Sequence, residues 1–180
     1  MIWEAERPLV YAGGGILAAD ASSNLRELVE YADLPSVCTL MGLGAMPSEH
    51  PNYISMPGMH GTVAAVGALQ RSDLLITLGA RFDDRVTGKL STFAPEAKVI
   101  HADIDPAEIG KNREVDVPIV GDAREVIADL IAALQAEVEE GAKPNFDEWR
   151  ELCLSWKRKY PLGYDEFDDG SLAPQHVISR

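Results

Sequence analysis

The sequence predicts an α/β fold built on a parallel sheet, and three observations carry the prediction. Short apolar runs alternate with longer amphipathic ones from Pro8 onward, the pattern of repeated βα units. The run at 74–78 is wholly apolar apart from one threonine and is bounded by turn signals, as expected of a strand buried on both faces. Several such runs stop at glycine or acid, and open α/β sheets bind ligands in the crevice beyond their strands' carboxyl ends. With 180 residues, the chain suits one domain with an appendage and can bury a core.

Element by element, strands are expected at 9–12, 36–40, 74–78, 99–102 and 117–120. A helix at 22–32 would place Leu25, Leu28 and Val29 on one face, and one at 62–70 consists of small residues able to approach the sheet closely. The helix at 122–140 has the clearest period. Val126, Ile127, Leu130, Ile131, Leu134 and Val138 recur at three and four, with Asp122 placed to cap its start and Gly141 its end. These elements make a sheet domain over 1–143. From 144 to 180 the character changes: a helix at 146–159 carries Trp149, Leu152 and Trp156 on one stripe. It is followed by a linker at 160–170, rich in proline, glycine and acid, and by the first turns of another helix at 173–180. Residues 1–6 read as the tail of a helix, so both ends look cut from something longer.

Composition removes several function classes. A formal net charge of −13 argues against a nucleic-acid or anionic-membrane surface. Cys38 and Cys153 are far apart and lack a CxxC spacing, so neither a disulfide framework nor a zinc site is indicated. No apolar run approaches the roughly 18 residues that span a bilayer, and residues 1–8 lack the pattern of a signal peptide, so a cytoplasmic protein is expected.

The motifs point to binding. Gly13-Gly14-Gly15-Ile16-Leu17-Ala18 fits the glycine-rich dinucleotide pattern G-x-G-x-x-G/A, in which the backbone turns tightly and approaches a pyrophosphate. An NAD site also expects an acid at the end of the second strand. Asp33 precedes that strand, and Thr39-Leu40-Met41 end it, so NAD is the weakest candidate. Gly58-Met59-His60-Gly61-Thr62 leads into a helix and offers backbone N–H groups to a phosphate or a flavin-sized ring; the alternative is a turn, with His60 a cap or surface residue and Met59 core filler.

In the run 78–89, Arg81, Asp83 and Arg85 alternate. A locally extended loop would project both arginines to one side, where guanidinium groups grip phosphate and stack on flat rings; the alternative is a surface ion-pair cluster. Asp103 and Asp105 end the next strand and suit ribose or adenine, although Asp105-Pro106 can also cap a short helix. Gly121-Asp122-Ala123 repeats the theme one strand later. The histidines at 50, 60, 101 and 176 are scattered, and neither a catalytic triad nor a metal-ligand cluster emerges. No catalytic or metal-binding residue is therefore assigned.

Taken together, the blocks at 11–15, 39–44, 56–62, 79–88 and 101–112 closely resemble the central domain of the acetolactate synthase (acetohydroxyacid synthase) catalytic subunit, a thiamine-diphosphate enzyme family. The resemblance covers nearly the whole chain. It implies a three-layer α/β/α, Rossmann-like fold with a parallel sheet of about six strands that binds FAD. The implied FAD contacts are Gly13, Gly14, Gly15, Thr39, Leu40, Met41, Gly58, Met59 and His60, then Gly79, Ala80, Arg81, Asp83, Arg85 and Val86, and finally Asp103, Ile104, Asn112, Gly121, Asp122 and Ala123.

In such enzymes thiamine diphosphate and Mg²⁺ decarboxylate pyruvate, and the resulting carbanion attacks a second pyruvate or 2-oxobutyrate, in branched-chain amino acid biosynthesis. FAD takes no net redox part. The resemblance places the thiamine and metal sites in flanking domains before residue 1 and after residue 180, so the chain alone is expected to be inactive. It further implies a homo-oligomer and a regulatory small subunit. Two other readings stay open, a related thiamine-diphosphate carboligase or decarboxylase and an interaction module whose cofactor site is empty.

Overall fold

The strands β1 (Pro8–Ala12), β2 (Ser36–Cys38), β3 (Tyr53–Ser55), β4 (Leu74–Leu78), β5 (Lys98–Asp103) and β6 (Val117–Val120) form one parallel sheet, ordered β3-β2-β1-β4-β5-β6. They belong to a computed structural model that describes residues 1–140 and 144–178. Six parallel strands with helices on both faces make the three-layer α/β/α architecture that the sequence predicts.

The near-continuous apolarity of the strands has a simple cause: successive residues feed two different cores. Val10, Ala12, Ile76, Leu78, Ile100 and Ala102 face one core, completed by Leu25, Leu28 and Val29 of α2 (Ser22–Ala32) and by Ile127, Ile131 and Leu134 of α5 (Ala123–Glu140). Leu9, Tyr11, Leu75 and Val99 face the other, closed by Ala64, Ala65, Ala68 and Leu69 of α3 (Val63–Arg71) and by Trp149 and Cys153 of α6 (Asp147–Lys159).

Local capping fixes the helix starts. Thr62 Oγ1 accepts the Ala65 N–H at 3.2 Å at the head of α3, and Asp122 Oδ1 accepts the Arg124 N–H at 2.8 Å at the head of α5. Gly141, expected to end α5, lies outside the described residues. The expected strand at 36–40 is shorter. It stops at Cys38, and the chain then tightens into a 3₁₀ turn at Leu40–Gly42, where Thr39 Oγ1 accepts the Gly42 N–H at 3.2 Å.

The residue-level reading missed β3, a three-residue edge strand enclosed by Pro51 and Pro57. At the amino end a single 3₁₀ turn, Ile2–Glu4, stands where a helix tail is expected. Residues 160–170 carry no helix or strand, and α7 (Pro174–Ile178) follows. Two more short helices, α1 (Gly14–Ala18) and α4 (Asp84–Thr87), follow β1 and β4. Helix α6 docks closely: the Trp149 indole N–H donates to the Pro8 carbonyl at 2.9 Å, and Trp156 lies over Gly67 of α3, where an added Cβ would approach the ring to 3.2 Å.

Candidate functional site

At the centre of the sheet the chain runs outward in opposite directions, from β1 toward β3 and from β4 toward β6. A crevice opens at such a switch point because the connections leaving the two central strands diverge. Backbone pairing continues past the strand ends. Gly13 N–H donates to Leu78 O at 3.0 Å, Gly15 N–H to Gly79 O at 3.0 Å, and Gly79 N–H to Ala102 O at 2.8 Å. This approach demands glycine on both sides. A Cβ on Gly13 would run into the Gly79 carbonyl oxygen, one on Gly15 would lie 2.7 Å from Gly79 Cα, and Gly79 itself has a left-handed φ of +56°.

Above these glycines lies a groove of about 570 Å³. Thr39, Leu40 and Met41 form one wall, and the loop from Gly79 to Val86 forms the other. Asp103, Asp105 and Glu108, at and past the end of β5, and Tyr11 of β1 also line the groove. Its cationic side is free for a ligand: the side chains of Arg81 and Arg85 are 62% and 77% exposed, and their pairings are loose, Arg81 Nη2 to Asp83 Oδ2 at 3.7 Å and Arg85 Nε to Asp84 Oδ1 at 3.5 Å. Exposed pairs of this kind hold a side chain only weakly.

Asp83 has a structural task. Its Oδ1 accepts the Arg85 N–H at 3.1 Å, capping α4. That hydrogen bond, aided by the neighbouring guanidinium charges, keeps its carboxyl below the usual carboxylate range. The loop is therefore not extended as the alternation suggests, because the backbone turns helical from Asp84 and brings Arg85 back over the groove that Arg81 also lines.

One buried group braces this loop, and a second group braces the segment that follows it. His101 is buried, and burial pushes its pKa down, so the neutral ring donates from Nε2 to Ala80 O at 3.0 Å. The Arg113 guanidinium donates to the carbonyls of Phe93, Ala94 and Ala97 at 3.0, 2.9 and 2.9 Å.

Of the expected contact residues, Gly14, Gly15, Thr39, Leu40, Met41, Gly79, Ala80, Arg81, Asp83, Arg85, Val86 and Asp103 line the groove. Ile104, Gly121, Asp122 and Ala123 line an adjoining cavity of about 120 Å³ that shares Gly15, Gly79 and Asp103 with it. The remaining five stand outside both linings. Gly13 is consumed by the close approach of the strands, and Asn112 Nδ2 donates to Phe82 O at 2.9 Å, pinning the arginine loop.

Gly58 and Met59 sit against that loop, where the Met59 N–H donates to Arg85 O at 3.1 Å, and His60 is exposed; Met59 is 69% exposed and so is not core filler. Conversely, Tyr11 and Glu108 line the groove although nothing in their local sequence marks them. An aromatic inside an apolar strand reads as core, and Glu108 lies past the strand end on an irregular segment. No group of three or more His, Cys, Asp or Glu able to hold a metal occurs among the described residues, and none of their helices is long and apolar enough to cross a membrane.

The model of the family described as "Thiamine pyrophosphate enzyme, central domain" matches residues 1–130. The chain belongs to this central-domain family. Individual relatives extend the likeness past the matched segment. An acetolactate synthase from Mycobacterium avium is 58% identical over all of this chain and 29% of its own length. An acetolactate synthase large subunit from Corynebacterium glutamicum is 56% identical over 99% of the chain and 28% of its length, and a probable large subunit from Methanocaldococcus jannaschii is 48% identical over 99% and 29%. The chain thus spans under a third of the length of these relatives. All groove residues of this central domain fall within the matched 1–130.

Proposed function

We propose that this central domain holds FAD in the groove at the β1/β4 switch point, within an acetolactate synthase large subunit that condenses two pyruvates, or pyruvate and 2-oxobutyrate, into 2-acetohydroxy acids. The observation that carries the reading is the groove's mixed chemistry: loosely paired Arg81 and Arg85 on the loop after β4, and the acids Asp103, Asp105 and Glu108 at and past the end of β5. A dinucleotide needs both, cations for its pyrophosphate and acceptors for its ribose hydroxyls. The volume of about 570 Å³ is that of a cofactor site, and Gly14 and Gly15 bring bare backbone to its lining. NAD suits it less, because β2 leads into Thr39 where a ribose-binding acid would stand.

When bound, FAD supplies a flat ring system and a pyrophosphate but no net redox step in the proposed reaction. The protein's part is to bind and orient. Arg81 and Arg85 neutralise phosphate charge, and Gly14 and Gly15 let the ligand approach the backbone. Asp83 keeps α4, and with it Arg85, in place. Leu40 and Met41 form an exposed apolar rim over which flanking domains of the same enzyme would close and exclude water.

Thiamine diphosphate and Mg²⁺ belong to those flanking domains on this reading. A cytoplasmic setting, a homo-oligomeric catalytic subunit and a regulatory small subunit come with the same resemblance. Titration of the full-length protein with FAD, followed by flavin fluorescence, tests the proposal. Saturable binding is expected, and its absence would leave the groove without a cofactor role.

A further inference from the structure

Tyr11 is fully buried, and its hydroxyl has no hydrogen-bond partner, yet it lies in the lining of the groove. A buried hydroxyl left unpaired costs free energy that a phenylalanine of the same shape would not. Two polar residues in the same cross-strand row sharpen the contrast. Tyr11 pairs with Thr77, and Thr77 with His101, so the three side chains form a row across β1, β4 and β5 on the face covered by α3. Thr77 Oγ1 and His101 Nδ1 are buried and unpartnered as well, but neither residue lines the groove.

We infer that the Tyr11 hydroxyl is a binding contact, donating a hydrogen bond to a neutral acceptor of the bound cofactor, a ring carbonyl or ring nitrogen. The inference rests on the proposed FAD reading. Burial first, and the nearby negative charge of Asp83 second, push the phenol's pKa up, so the group is a neutral donor at any physiological pH. The Asp83 charge also selects the acceptor, since a phosphate oxygen there would face a second anion, whereas a ring carbonyl would not. The Phe82 ring packs behind that of Tyr11, 5.9 Å away and tilted by 37°, and offers the hydroxyl no acceptor.

FAD titration of the full-length protein tests this with two near-isosteric variants, Tyr11→Phe and Thr77→Val. Wild type should bind saturably, Tyr11→Phe should raise Kd about five- to tenfold, and Thr77→Val should leave it within about twofold. Equal affinity of Tyr11→Phe and wild type would overturn the contact. So would equal weakening by both variants, which would mean that the hydroxyl acts only through the sheet. If wild type itself does not bind FAD, the underlying reading fails and this contact falls with it. A crystal structure of the FAD-loaded wild type decides without any variant: a cofactor acceptor within about 3.2 Å of Tyr11 Oη is expected, and a water in its place refutes the assignment.

Discussion

The Met59 N–H donates to the carbonyl oxygen of Arg85 at 3.1 Å, so the methionine-histidine loop is fastened to the arginine loop through backbone alone. Gly58 makes the junction possible, with φ of +107° and room for a Cβ only 3.0 Å from the same Arg85 oxygen. Gly58→Ala should therefore loosen the junction by about 1–2 kcal/mol. Hydrogen exchange of the Met59 amide should quicken about fivefold or more, and protection equal to wild type would show that the junction is not strained by a side chain.

Arg81 and Arg85 are exposed and held only by weak pairs within their own loop, so they contribute little to folding. Replacing each with alanine in the full-length protein should lower FAD affinity about tenfold or more, with the melting temperature nearly unchanged. The salt dependence of binding should flatten in parallel. Unchanged FAD retention in the double variant would return the loop to the role of a surface ion-pair cluster.

Gly13 offers the reverse case. A Cβ there would meet the Gly79 carbonyl and Ala80, both part of the central strand junction. Gly13→Ala should destabilise the domain by about 3 kcal/mol, visible as a lower denaturant midpoint. A midpoint within error of wild type would mean that the β1 and β4 ends can separate freely.

Burial lowers the pKa of His101 below its ordinary 6.5, so the unfolded chain binds a proton more readily than the folded one. Stability is then complete above pH 6.5 and falls as pH drops below it toward the folded value. The slope from this one group reaches at most about 1.4 kcal/mol per pH unit. Urea midpoints at about pH 7.5 and about pH 5.5, on either side of the unfolded value, should differ, and His101→Gln, which removes the titrating ring, should shrink the difference. An equal difference in the variant would assign the pH dependence to other groups.

The Arg113 guanidinium satisfies three carbonyls at once, of Phe93, Ala94 and Ala97, and Ala94 has a left-handed φ of +40°. Lysine lacks the planar fork that matches them. Arg113→Lys should cost about 2 kcal/mol and render the 88–97 segment more sensitive to limited proteolysis. Proteolysis at the wild-type rate would show that the segment holds itself together.

The strands at 74–78 and 117–120 are legible with their boundaries because an apolar run that stops at glycine is too short for a buried helix and too apolar for a loop. Strand β3 is not, since three residues between prolines carry no period, and its place is fixed by pairing with β2. The docking of α6 is equally invisible: its Trp149 stripe can be read, but the indole's partner, the Pro8 carbonyl, lies at the other end of the chain. The glycine and arginine loops stand out because their composition is costly in a plain turn, whereas Tyr11 is disguised by its apolar neighbours. Its relevance emerges only when the register aligns it with Thr77 and the groove opens above it.

The backbone hydrogen bonds from Gly13 to Leu78 and from Gly79 to Ala102 tie together segments that are made at different times during synthesis. The groove draws its lining from Tyr11 through Glu108, so it is not complete until the ribosome has released every residue up to Glu108. Strand β1 must wait for β4 as its central neighbour, a pairing of high sequence separation that forms slowly. On the proposed FAD reading, cofactor capture follows assembly of the sheet, and FAD added during refolding should raise the yield of native protein without speeding formation of the strands.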